Sequence, residues 1–190
     1  MAKLRKPVVG VMGASANDAL TESEKVRLET LAEALGKVLA GDGCVLVTGA
    51  TTGLPHLVAQ AFRRAGGFAV GISPAENPAE HRRCGLPADG SDVIVYTGFG
   101  YKGRNVINVR SCDVVIIFAG ATGTLNEFTI AYDEGKVIGV LEGSGGVADH
   151  IEEIIRFCNK TTRAVVLFDG DPHNLVRQCL VAFSRAIEVK

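Results

Sequence analysis

The stretch CDVVIIFAGATGTLNEFTIAYDEGK, residues 112–136, decides the fold. Its first third is rich in β-branched residues with no polar alternation, the pattern of a strand buried on both faces. From Leu125 onward the apolar residues recur at helical spacing. Between the two halves, Ala119, Gly120, Ala121, Thr122, Gly123 and Thr124 form a small-residue turn from strand to helix. The first amides of a helix have no partner within it and point beyond the strand end, and small residues let a ligand approach them.

The same alternation runs outward in both directions. Upstream, PVVGVMG (7–13), CVLVTG (44–49), FAVGIS (68–73) and DVIVYT (92–97) read as strands. TESEKVRLETLAEALGKVLAG (21–41), LPHLVAQAFRRAG (54–66) and GRNVINVRS (103–111) read as helices, the first with Thr21 and Glu24 as a capping box and Gly41 as its stop. Downstream, VIGVLE (137–142) and AVVLF (164–168) alternate with VADHIEEIIRFCN (147–159) and HNLVRQCLVAFSRAIE (173–188). Such alternation predicts a doubly wound, Rossmann-like α/β fold with a mostly parallel sheet and helices on both faces. With no repeat or linker, residues 1–190 are expected to form one domain.

Composition narrows the function classes. A net charge of −1 gives no electrostatic footprint for nucleic acid, and no run of apolar residues is long enough for a membrane span. Five cysteines without a CxxC pair point to a reduced, cytoplasmic protein. The basic start MAKLRK is followed by too short an apolar stretch for a leader.

Ligands in doubly wound folds sit beyond the carboxyl ends of the strands. There the sequence places Gly10, Gly13, Ala14 and Ser15 after the first strand, and Gly49, Thr51 and Thr52 after the second. Gly98 and Gly100 follow the fourth, and Gly120 to Thr124 the fifth. Each turn alone is ordinary. Together they predict a cradle of amides and hydroxyls for a phosphorylated small molecule. GFGYKG (98–103) matches G-x-G-x-x-G, but the next strand ends in Ile117 and Phe118 rather than an acid, which disfavours a dinucleotide redox cofactor.

Three charged residues stand near that edge. Arg104 offers a donor fork for phosphate or a partner for Glu127. Glu127 can alternatively cap its own helix through the T-x-x-E spacing from Thr124, and Arg110 can be a solvated residue. Pro74 to Asp92 is expected to be an irregular lid or binding loop, with Arg82 and Arg83 either closing on phosphate or merely solvated. His81 and Cys84 lack the partner pair of a metal site, and His56 is not expected to touch ligand. LVAQAF and TIAYDEG carry more apolar surface than a solvated helix needs, which predicts self-association.

GRNVINVRSCDVVIIFAGATGTLNEF (103–128), with LVTGATTGLPHLVAQAFRRAGGFAVGISP (46–74), resembles a Rossmann-like superfamily formerly taken for lysine decarboxylases. It includes the lonely-guy (LOG) phosphoribohydrolases and the molybdenum-cofactor carrier proteins. The family motif P-G-G-x-G-T-x-x-E reads here from Ala119 to Glu127, with Ala119 for proline and Ala121 for the second glycine. The methyl of Ala121 is expected to crowd a phosphate or to forbid a positive φ. In the LOG branch the resemblance implies that Arg104 and Glu127 are catalytic, cleaving the N-glycosidic bond of a nucleoside 5′-monophosphate. Asn105 replaces the lysine of that branch, and G-x-x-x-R-N-x-x-x-V-R-S-x-D, beginning at Gly100, looks closer to the carriers. The carrier resemblance implies no required cofactor, a nucleotide or molybdenum cofactor as cargo, and a dimer or tetramer.

Overall fold

The computed structural model describes residues 5–15 and 21–188. Seven parallel strands form one sheet in the order β4-β3-β2-β1-β5-β6-β7. They are β1 (Val8–Gly13), β2 (Val45–Thr48), β3 (Phe68–Ser73), β4 (Val93–Tyr96), β5 (Val114–Phe118), β6 (Val137–Leu141) and β7 (Val165–Asp169). Between them run α1 (Glu22–Gly41), α2 (Leu54–Arg64), α3 (Pro78–Arg83), α4 (Gly100–Arg110), α5 (Thr122–Asp133) and α6 (Ile151–Cys158), and α7 (Pro172–Glu188) closes the chain. A 3-10 turn, Gly146–His150, leads into α6. The expected doubly wound fold is the observed one.

Two apolar layers cover the sheet. Leu28, Leu35, Leu39, Val58, Phe62 and Leu175 bring α1, α2 and α7 onto one face. Val109, Phe128, Ala131 and Ile151 bring α4, α5 and α6 onto the other. All five residues of β5 are buried, as its unbroken apolar run requires. α1 and α2 approach so closely that a Cβ on Gly36 would lie 2.6 Å from the Val58 carbonyl oxygen. The apolar surplus of LVAQAF is therefore consumed inside the chain rather than left for a partner.

Several local details differ from expectation. The stretch 74–92 is not wholly irregular: Asn77 caps the two amides that follow Pro78, and a six-residue helix results. Gly41 is the last residue of α1 rather than its stop, and the left-handed residue is Gly43, at φ +68°. α5 starts at Thr122, ahead of the helical spacing that begins at Leu125, so Thr124 lies within the helix and cannot be its cap.

Candidate functional site

Strand order reverses between β1 and β5, since the chain builds outward from β1 to β4 and returns to β5 on the other side. Over the carboxyl ends of these two strands lies an open cleft of about 670 Å³. Gly13, Ala14 and Ser15 line it from the β1 turn, and Thr51 and Thr52 from the β2 turn. Gly120, Ala121, Gly123 and Thr124 line it from the β5 turn, and Arg104, Asn105 and Glu127 from α4 and α5.

Other expected positions fall elsewhere. Thr122 opens α5 without lining the cleft, and Gly100 starts α4 in open space. Gly10 is a packing residue, since a Cβ there would meet Cys112 Sγ at 2.5 Å. Gly49 acts beneath the site: a Cβ would lie 2.1 Å from Arg104 Nη2, so the guanidinium rests on bare backbone. The G-x-G-x-x-G run follows the outer strand β4 and begins α4, and its Tyr101 and Lys102 line the cleft. His56 stands 3.4 Å from Asp89, and His81 is buried between Ser73 Oγ and the Pro87 carbonyl at 2.9 and 3.1 Å. Of the long connection, Leu86 reaches the cleft, while Arg82 is exposed and Arg83 lies 3.8 Å from Glu80.

The β5 turn is held in an unusual conformation. Ala119 has φ +53° and Gly120 φ +98°. The methyl of Ala119 makes its left-handed conformation unfavourable, and the chain around it holds it there. The Ala119 amide donates to Ser144 Oγ at 2.8 Å, its carbonyl accepts from Ala148 N, and the Gly120 carbonyl accepts from Val147 N. The loop after β6 thus straps the turn in place. Ala121 sits at φ −132°, where any residue is at ease, so the departure expected to disturb the backbone does not; the left-handed residue is Ala119. α5 begins with no side-chain cap and no acid in its first turn, which leaves amides open toward the cleft. α2 differs: its Leu54 amide donates to the Ala14 carbonyl and its second residue is a proline.

Beneath the turn lies a buried polar cluster. Arg104 Nη1 donates to Glu127 Oε1 and to Asn105 Oδ1, both at 2.9 Å. Asn108 Nδ2 donates to the same Glu127 oxygen at 3.2 Å, and Asn105 Nδ2 to Asn126 Oδ1 at 2.8 Å. The side chains of Arg104 and Glu127 are only 7% and 9% exposed. Glu127 is therefore a buried ion-pair partner, not a helix cap. Burial pushes its carboxyl pKa up; Arg104, Asn108 and Lys102 act in the opposite direction without cancelling that effect. Arg104 Nε and Asn108 Oδ1 are buried without partners.

Sequence patterns did not single out the remaining lining. Arg27 and Glu24 come from α1, Tyr101 and Lys102 from α4, and Ser144, Gly145 and Gly146 from the loop after β6. The loop carried the signal used for the other turns, a glycine-rich GSGG after a strand. Lys102 lay within the G-x-G-x-x-G match, and Arg27 is one exposed cation on an amphipathic helix, with nothing local to mark it.

Sheet order, cleft position and a polar cluster under a strained turn define a Rossmann-like α/β protein with its cleft at the topological switch point. The chain belongs to the SLOG cluster4 family, whose sequence profile matches residues 6–176. It is 32% identical over 156 residues to an uncharacterized protein of Archaeoglobus fulgidus, covering 79% of this chain and 93% of that one. It is also similar to the molybdenum cofactor binding protein of the phototrophic bacterium Rippkaea orientalis, with a TM-score of 0.72 and 28% identity over 97% of this chain and 99% of that one. The molybdenum cofactor carrier protein of Chlamydomonas reinhardtii gives a TM-score of 0.70 and 26% identity, covering 93% and 99%.

Proposed function

We propose that the cleft binds a phosphate-bearing, nucleotide-like small molecule, as a carrier does, without turning it over. One observation carries this: the uncapped, acid-free start of α5 opens onto a cavity of about 670 Å³, within the usual range for small-molecule sites. An anion there is stabilised by free amides and the helix dipole, and Thr51, Thr52 and Ser15 add hydroxyls around it. The molybdenum cofactor of the two similar proteins fits this donor set through its anionic end, which the amides of Gly123 and Thr124 would hold. A nucleoside monophosphate fits on the same grounds.

The phosphoribohydrolase reading is favoured by a different observation, the buried Arg104–Glu127 pair at the cleft wall. Both hydrogen bonds to Glu127 fall on Oε1, leaving Oε2 for a substrate. A raised pKa suits an acid that protonates a leaving base or positions a water. The experiment that separates the two incubates purified protein with a panel of nucleoside monophosphates, following thermal stabilisation and released base together. Stabilisation without base release is expected; at a hundredfold excess over Kd it amounts to about 2.7 kcal/mol. Base release abolished by Glu127→Ala would establish the enzyme instead.

The reading extends to the setting. All five cysteines are free, three of them buried, which suits the cytoplasm, and among the described residues no helix is long and apolar enough to cross a membrane. Self-association as a dimer or tetramer is part of the same proposal.

A further inference from the structure

Two cations of α4 face the cleft, and they are not equivalent. The Arg104 fork is already committed: Nη1 bonds Glu127 and Asn105, Nη2 lies against Gly49, and Nε is buried. Its charge is balanced at 2.9 Å by Glu127. Lys102 is exposed, lines the same cleft, and among the described residues forms no salt bridge. Beyond Gly123's chain neighbours and its own helix backbone, Lys102 Nζ is the nearest atom, at 4.0 Å, to the space a Cβ on Gly123 would occupy. Gly123 belongs to the uncapped first turn of α5. The ammonium therefore stands near open amides; the first turns of α4 and α5 hold no acid, and Glu127, whose carboxyl Lys102 also influences, is hydrogen-bonded to Arg104. The other exposed cation of the cleft, Arg27, donates to the Gly143 carbonyl from α1.

We propose that Lys102, and not Arg104, supplies the positive charge that holds the ligand's phosphate, so that the site selects a phosphate monoester over the matching uncharged nucleoside. Arg104 is a positioning residue: it fixes Glu127 and Asn105 from below. A lysine suits the upper role, being a compact charge on a flexible stem that follows a phosphate as it enters. This assignment rests on the phosphate-binding reading of the cleft.

The test is calorimetric titration of wild type, Lys102→Met and Lys102→Arg with inorganic phosphate and with 5′-AMP, adenosine serving as the uncharged control. Lys102 is exposed, so all three proteins are expected to melt together without ligand. Wild type is expected to bind phosphate and 5′-AMP. Lys102→Met should weaken both about tenfold, as expected for one charge-assisted bond, while Lys102→Arg keeps most of the affinity. The wild-type affinity should also fall more steeply with salt than that of Lys102→Met. Lys102→Met binding phosphate and 5′-AMP as tightly as wild type overturns the role of Lys102 and leaves the phosphate site standing. Wild type binding neither probe overturns both.

Discussion

Glu127 is an acid inside the protein whose ion-pair partner is Arg104, with Asn108 hydrogen-bonded to the same oxygen. Removing Arg104 leaves that carboxylate buried and uncompensated, so Arg104→Met should cost about 3–5 kcal/mol in denaturant unfolding. Adding Glu127→Gln to that variant should recover a large part of the loss, because the stranded charge is gone; equal, additive losses would show that the two residues do not act as a pair. The pH dependence follows from the raised carboxyl pKa. The native state binds the proton more readily than the unfolded chain, whose Glu titrates near the ordinary 4.5. The contribution of this group to stability is therefore fully present below that value and lost as pH rises through the folded pKa. Wild type should lose stability relative to Glu127→Gln across that window, read from urea midpoints at successive pH values.

At the scale of elements, the β5–α5 turn governs the cleft. Ala119→Pro, which restores the residue usual at that motif position, cannot hold φ +53° and removes the amide bonded to Ser144; it should destabilise by about 2–3 kcal/mol. Ala119→Gly should stabilise by up to about 1 kcal/mol, by relieving the left-handed strain. Gly123→Ala is predicted to separate stability from binding. Its new methyl faces open cleft, so helix propensity should leave the fold as stable or up to about 1 kcal/mol more so, while ligand affinity falls.

Strand β5 and the start of a helix after it were legible because a β-branched run, small residues and helical spacing follow one another within 25 residues of chain. Two things were not. α3 is only six residues long, too short to show periodicity, although its Asn77–Pro78 start was written in the sequence. The role of Gly49 depends on Arg104, far along the chain, lying against it, and no local pattern encodes that distance.

Across the whole molecule, the β4 margin of the sheet is poorly covered. Val93 and Val95 on the outer strand are 46% and 43% exposed, beside Phe68, with Phe99 and Tyr101 exposed at the start of α4. Register places Val93 beside Val70 and Val95 beside Ile72, on the face covered further in by α4 and α5. This margin, rather than α2, is the surface on which we base self-association. Sedimentation equilibrium of Val93→Lys/Val95→Lys against wild type should show a shift toward monomer; an unchanged distribution places the contact elsewhere.

The account as a whole requires that phosphate enter where α5 opens. The most direct measurement is the amide nitrogen–proton NMR spectrum of the protein titrated with 5′-AMP and, separately, with adenosine. The account predicts that the amides of Gly123 and Thr124 shift with the nucleotide and not with the nucleoside. Nucleotide-induced shifts confined to another surface, with those two amides unmoved, would contradict it.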